Sequence, residues 1–111
     1  MLNIDKQNGV VVASFANTDR FDIRLAPSVK ETLSQIISEP DTRLVLDLKD
    51  IQFVDSTGFG VLLTVLRLSL EKNSFFKICN VSSDVMELVN LMKLDEKLNI
   101  CLDLDDAIKQ F

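Results

Sequence analysis

The chain has 111 residues, enough for one domain with its own core and too few for two. Apolar residues make up 47% and charged residues 26%, values that fit a folded globular protein and exclude a disordered one. Acids outnumber bases 17 to 12, and no Lys/Arg cluster offsets the net charge of -5, so the basic footprint that nucleic-acid binding requires is missing.

The chain opens with two short runs around Asn8-Gly9. Asn-Gly tolerates positive φ at both central turn positions, which predicts a hairpin of antiparallel strands, Leu2–Lys6 and Val10–Phe15. A polar stretch follows from Asn17 to Arg24. Pro27 then opens a helix, where its missing N–H costs nothing. Val29, Leu33, Ile36 and Ile37 share one face of it, with Lys30, Glu31 and Gln35 outside, and Pro40 ends it. "RLVLDLKD" (residues 43–50) predicts a central strand, with a break near Asp50 before "IQFVD" continues extended. A long helix is expected from around Ser56–Gly58 to Lys72-Asn73. "FFKICNV" predicts a strand, and "SSDVMELVNLMKL" a helix capped by Ser82 or Ser83. "NICL" predicts a short strand, and Asp103, Asp105 and Asp106 lead into a last helix, "AIKQF". This alternation predicts a single α/β domain spanning 1–111, with parallel crossovers and a mixed sheet, because the hairpin contributes an antiparallel edge.

Many functions are excluded by what is missing. With no histidine, a Ser-His-Asp triad is impossible. A nucleophile elbow at Ser56 would need glycine where Val54 stands. Gly58-Phe59-Gly60 starts like a dinucleotide fingerprint, but Leu63 occupies the place of its third glycine. Asp103, Asp105 and Asp106 lack the glycine and glutamate of a calcium loop and read as acids favoured at a helix start. Asp19 and Asp22 form a carboxylate pair with no electrophile or ligand set beside it. Cys79 and Cys101 lie far apart, form no C-x-x-C and read as small buried hydrophobes. No enzyme, cofactor or metal site is therefore expected. A receiver domain, with Asp47 or Asp50 as its phosphoacceptor, fits poorly because the opening hairpin does not belong in a parallel receiver sheet. Asp5 and Lys6 interrupt any signal-like run, and Val61–Leu70 is polar-punctuated and too short to span a bilayer, so no membrane insertion and a reducing cytoplasm are expected.

"FVDSTGFG" (residues 53–60) carries the remaining signal. Asp55, Ser56 and Thr57 are good helix caps. Gly58 and Gly60 are poor helix formers, so they suggest a place where another backbone or a phosphate comes close. On a helical wheel, Gly60, Thr64, Arg67 and Glu71 form a polar sector. The apolar sector holds Phe59, Val61, Leu62, Leu63, Val65, Leu66, Leu68 and Leu70, wider than one core-facing stripe requires. Either neighbours bury the helix on both sides, or one flank is a partner surface that includes Phe59 and Leu63, or Val61 and Leu68.

"RLVLDLKDIQFVDSTGFGVLL" resembles the core motif of STAS domains, especially the bacterial anti-sigma factor antagonists. The resemblance runs over nearly the whole chain; D-S-T-G-F-G is its specific part. It implies a STAS fold, a mixed sheet packed against about four helices. It implies that Ser56 is the residue phosphorylated by the anti-sigma factor, itself a serine kinase, and that a PP2C-type phosphatase resets the switch. It carries over Asp55, Thr57 and Gly58 as neighbours of that serine, and with the wheel's flank the residues expected to bind the partner are Asp22, Asp55, Thr57, Gly58, Phe59, Gly60 and Leu63. The family often carries G-[ED]-[LI]-D after its second strand; here the stretch is Asp19-Arg20-Phe21-Asp22, which keeps only the final aspartate. A STAS subunit of a membrane transporter is the alternative within the same fold.

Overall fold

A computed structural model describes residues 2–111. The elements in chain order are strands β1 (Leu2–Gln7), β2 (Val10–Phe15) and β3 (Arg20–Phe21), helix α1 (Ala26–Ile37), strands β4 (Arg43–Asp47) and β5 (Phe53–Val54), helix α2 (Ser56–Glu71), strand β6 (Phe75–Cys79), helix α3 (Ser83–Leu91), strand β7 (Ile100–Cys101) and helix α4 (Leu104–Lys109). Asn8 and Gly9 take φ of 52° and 77°, the positive pair that a two-residue hairpin turn demands.

The main sheet runs β1-β2-β4-β6-β7. β1 is antiparallel to β2, and the other neighbours are parallel, so the mixed sheet has its antiparallel strand at one edge and β4 in the middle. Side chains alternate across β4: Leu44 and Leu46 join the larger core, beneath α1, α2 and α3, while Val45 joins a smaller one with Val10, Val12, Cys79, Cys101 and Ala107 of α4. Burial on both faces is what a central parallel strand imposes, and it explains the run of apolar residues there. The strand stops at Asp47; Asp50, with φ of 72°, makes the turn out of the sheet. Asp47 itself accepts hydrogen bonds from the Lys49 backbone (2.9 Å) and the Asn80 side chain (2.9 Å), tying the ends of β4 and β6 together.

Caps fall where the side-chain chemistry directs. Pro27 lies in the first turn of α1. Ser82 caps α3 by accepting from the Val85 N–H at 3.2 Å. α3 ends at Leu91, short of the predicted Leu94, because Lys93 adopts φ of 57° and the Leu94 N–H turns back to the Val89 carbonyl. Asp103 caps α4 by accepting from the Asp106 N–H, and Asp106 accepts from the Leu102 N–H, so these acids organise a helix start. Cys79 and Cys101 are free, buried neighbours on β6 and β7. Burial pushes the Cys79 thiol up to about 12 and raises that of Cys101, so both pack as neutral side chains at ordinary pH. Among the described residues, no helix is long and apolar enough to cross a membrane.

One element departs from expectation. The polar stretch before α1 contains β3, which pairs in parallel with β5 in a separate two-stranded sheet, Arg20 opposite Phe53 and Phe21 opposite Val54. The Asp19 carbonyl accepts from the Gln52 (2.7 Å) and Phe53 (3.2 Å) N–H groups, and the Phe21 carbonyl from the Asp55 N–H (3.2 Å). This small sheet carries the Asp19–Asp22 segment to the start of α2.

Candidate functional site

The site is the first turn of α2 and the loop that leads from β3 into α1. Asp55 is the N-cap of α2, with extended backbone. Its Oδ1 accepts from the Gly58 N–H at 2.9 Å and from the Thr57 hydroxyl, and its Oδ2 accepts from the Ile23 N–H at 3.1 Å. The Thr57 hydroxyl, then the Gly58 N–H, hold the carboxyl below the usual carboxylate range, so Asp55 is ionised at neutral pH. A single carboxylate thus caps the helix and fastens the loop. Ser56, next to it, is exposed, whereas Thr57 is half-buried with its hydroxyl engaged on Asp55.

The loop has its own clamp. Asp22 is 9% exposed, and its carbonyl accepts from the Leu25 (3.0 Å) and Ala26 (2.9 Å) N–H groups at the start of α1. Its carboxylate receives the Arg24 guanidinium as a fork, Nε to Oδ1 at 3.2 Å and one terminal nitrogen to Oδ2 at 3.1 Å. The Arg24 backbone N–H adds a third bond, and Arg20 Nε stands 3.6 Å from Oδ2. Arg24's side chain above all holds the Asp22 carboxyl low, against the opposing effect of burial. Arg20 also lies over the Phe53 ring, 4.3 Å from its centroid. These arginines, and Ile23 with 65% of its surface exposed, were not singled out from the sequence. The one available signal was the spacing of Arg20 and Arg24 either side of Asp22.

Burial divides the predicted partner residues. Along α2, Ser56, Gly60, Leu63 and Arg67 recur at helical spacing and form one stripe. Ser56, Gly60 and Arg67 are exposed and Leu63 is half-buried. Phe59 and Val61 are 2% and 5% exposed and belong to the larger core. An exposed flank that includes either is therefore corrected: α2 packs against both α1 and β6, so its wide apolar sector is filled from two sides. Leu70, near the far end of the helix, is the apolar residue left most open on it, at 73%.

The two glycines also divide. A Cβ at Gly58 would stand 2.7 Å from the Phe21 carbonyl oxygen and 2.7 Å from Val54 Cγ1, so this glycine lets α2 lie against the β3–β5 pair rather than baring a surface. At Gly60 a Cβ would meet nothing within 4 Å. Gly58→Ala is expected to lose about 1–3 kcal/mol by overpacking, which outweighs the helix-propensity gain of about 1 kcal/mol. Gly60→Ala is expected to gain about 0.5–1 kcal/mol. Urea unfolding of the two variants beside the parent checks both signs.

A mixed sheet with an antiparallel outer strand, and a helix start capped by Asp55 that leaves Ser56 open to solvent, define a small α/β domain of the STAS type. The chain belongs to the STAS domain family, whose model matches residues 1–107. It is similar to the anti-sigma-F factor antagonist RsfB of Mycobacterium tuberculosis, 24% identical over 107 residues, 96% of this chain and 85% of that protein. Its fold is that of an anti-sigma-factor antagonist (STAS) domain protein from Planctomyces limnophilus, with TM-score 0.88 at 19% identity over 98% of this chain and 96% of the other. It is also that of a sulfate transporter family protein from Wolinella succinogenes, with TM-score 0.77 at 18% identity over 94% and 85%.

Proposed function

We propose that this protein is an anti-sigma factor antagonist that works as a partner switch, a binding module and kinase substrate rather than an enzyme. Unphosphorylated, it docks on an anti-sigma factor that is also a serine kinase; phosphorylated on Ser56, it lets go, and a PP2C-type phosphatase resets it. The observation that carries this reading is the unequal state of two adjacent hydroxyls. Ser56 is exposed at the first residue of α2, and Thr57 is tied to the capping carboxylate. The kin named as antagonists support the role, and the stripe of exposed Ser56 and Gly60 with half-buried Leu63, which starts beside the Asp22 loop, gives a partner somewhere to rest.

In the transfer, a P–O bond forms to the Ser56 Oγ as the bond to ADP breaks, and the hydroxyl proton leaves to a base on the kinase. Incubation with an anti-sigma kinase and ATP is expected to place one hydroxylamine-stable phosphate on Ser56, located by mass spectrometry. Ser56→Ala is expected to abolish it and Thr57→Val to retain it. Labelling that survives in Ser56→Ala and vanishes in Thr57→Val moves the acceptor by one residue. A hydroxylamine-labile phosphate would mark an aspartyl acceptor, and no phosphate at all would favour the transporter-subunit reading, with which the fold alone is equally compatible.

A further inference from the structure

We propose that Arg24 receives the Ser56 phosphate in cis, leaving the Asp22 carboxylate to grip it. This rests on the reading of Ser56 as the acceptor. Two guanidiniums meet on the Asp22 carboxylate: Arg24 forks onto it at 3.2 and 3.1 Å, and Arg20, from β3, reaches it at 3.6 Å. The trio carries one surplus positive charge, in a chain whose net charge is -5. Both guanidiniums reach solvent, their side chains 70% exposed for Arg24 and 49% for Arg20, and Arg24 is the more open of the two.

The loop is fastened beside the acceptor. The Ile23 N–H lies 3.1 Å from Oδ2 of Asp55, the residue before Ser56, and Arg24 is the residue after Ile23. The Asp55 carboxylate already accepts from the Thr57 hydroxyl and the Gly58 and Ile23 N–H groups, so its charge is satisfied without a cation. A phosphate beside it brings about -1.5 to -2 charge and three acceptor oxygens that need partners. A guanidinium fork suits a phosphate at least as well as a carboxylate, and the greater charge favours the exchange. The exchange takes from Asp22 Oδ2 its one hydrogen bond and leaves Arg20, at 3.6 Å, as the cation nearest that oxygen. Asp22 keeps the Arg24 backbone N–H at 3.1 Å and the attraction of Arg20, so the turn stays while the side chain swings. Arg20 is the less suited receiver, because its guanidinium is stacked on Phe53. The result joins the loop to the first turn of α2 and covers one side of the phosphate.

Phosphoserine encoded genetically at position 56 of the full chain provides the test, read by 31P NMR titration. The second phosphate pKa is expected to lie about 0.5–1 unit lower in the parent than in Arg24→Gln, since a bound cation favours the dianion. Arg24→Lys is expected to fall between, retaining charge without the fork, and also serves should Arg24→Gln fold poorly. The Arg24 Nε resonance is expected to move on phosphorylation. Superimposable titrations of the parent and Arg24→Gln overturn the proposal, as does a shift produced by Arg20→Gln and not by Arg24→Gln. Failure of any kinase to label Ser56 would count against the switch alone, because the encoded phosphate needs no kinase.

Discussion

Phe21→Ala is expected to cost about 3–5 kcal/mol, as the loss of a fully buried ring does. Phe21 has no exposed surface, and its ring lies 5.0 Å from that of Phe15, tilted by 45°. The residue also works through its backbone. Its carbonyl accepts from the Asp55 N–H at 3.2 Å, and its oxygen stands 2.7 Å from where a Cβ on Gly58 would fall. Shrinking the ring therefore leaves a cavity under the β3–β5 pair and loosens the platform on which the α2 cap rests. Domains of this size are stable by about 5–15 kcal/mol in total, so the variant should retain only part of its folding free energy. Urea unfolding measures the loss. The amide resonances of Ile23 and Gly58 report whether the cap loosens before the domain unfolds. Phe21→Leu, which keeps much of the volume, should cost clearly less. A loss below about 1 kcal/mol for the alanine variant would mean that the ring is not part of the core that supports the site.

What could be read in the sequence was set by local chemistry. Asn8-Gly9, Pro27, Ser82 and Asp103 each have a conformational or capping preference strong enough to place a turn or helix start unaided, and each is found in that role. The Asp55 cap was legible for the same reason. What was not legible depends on contacts distant in sequence. β3 has two residues, one exposed and one buried, so it shows no periodicity, and its pairing arises from the Asp19 and Phe21 carbonyls meeting residues more than thirty positions later. The wheel of α2 gave the width of its apolar sector but not the position of its neighbours; α2 packs against α1 and β6, and Phe59 and Val61 are buried in the larger core. Gly58 and Gly60 look alike in the sequence, yet one faces the Phe21 carbonyl and the other faces open space. Ser56 and Thr57 are likewise equivalent hydroxyls until the bond from Thr57 to Asp55 separates them.

Phosphorylation of Ser56 is expected to lower affinity for the anti-sigma factor at least tenfold, about 1.4 kcal/mol, while the domain keeps its fold. The added charge of about -1.5 to -2 falls next to Asp55, a group already ionised and already engaged by its three donors. Within the free domain the new charge is tolerable. It sits at the positive end of α2, which is worth about 0.3–1 kcal/mol, within the proposed reach of Arg24, and Ser56 is exposed, so water solvates the remainder. Nothing in the core needs to move, because Phe59, Leu62 and Val65 face inward on other sides of the helix. In the complex the same phosphate would lie on a stripe from which water has been removed, where the charge that one guanidinium leaves uncompensated is costly. The expected block is therefore one of local charge and bulk, with no change of fold. Amide resonances are expected to move around Asp19–Arg24 and Asp55–Gly60 and to stay in place along β4 and β6. Shifts spread across the main sheet would contradict a local block. Unchanged affinity between the serine and phosphoserine forms would remove the switch itself.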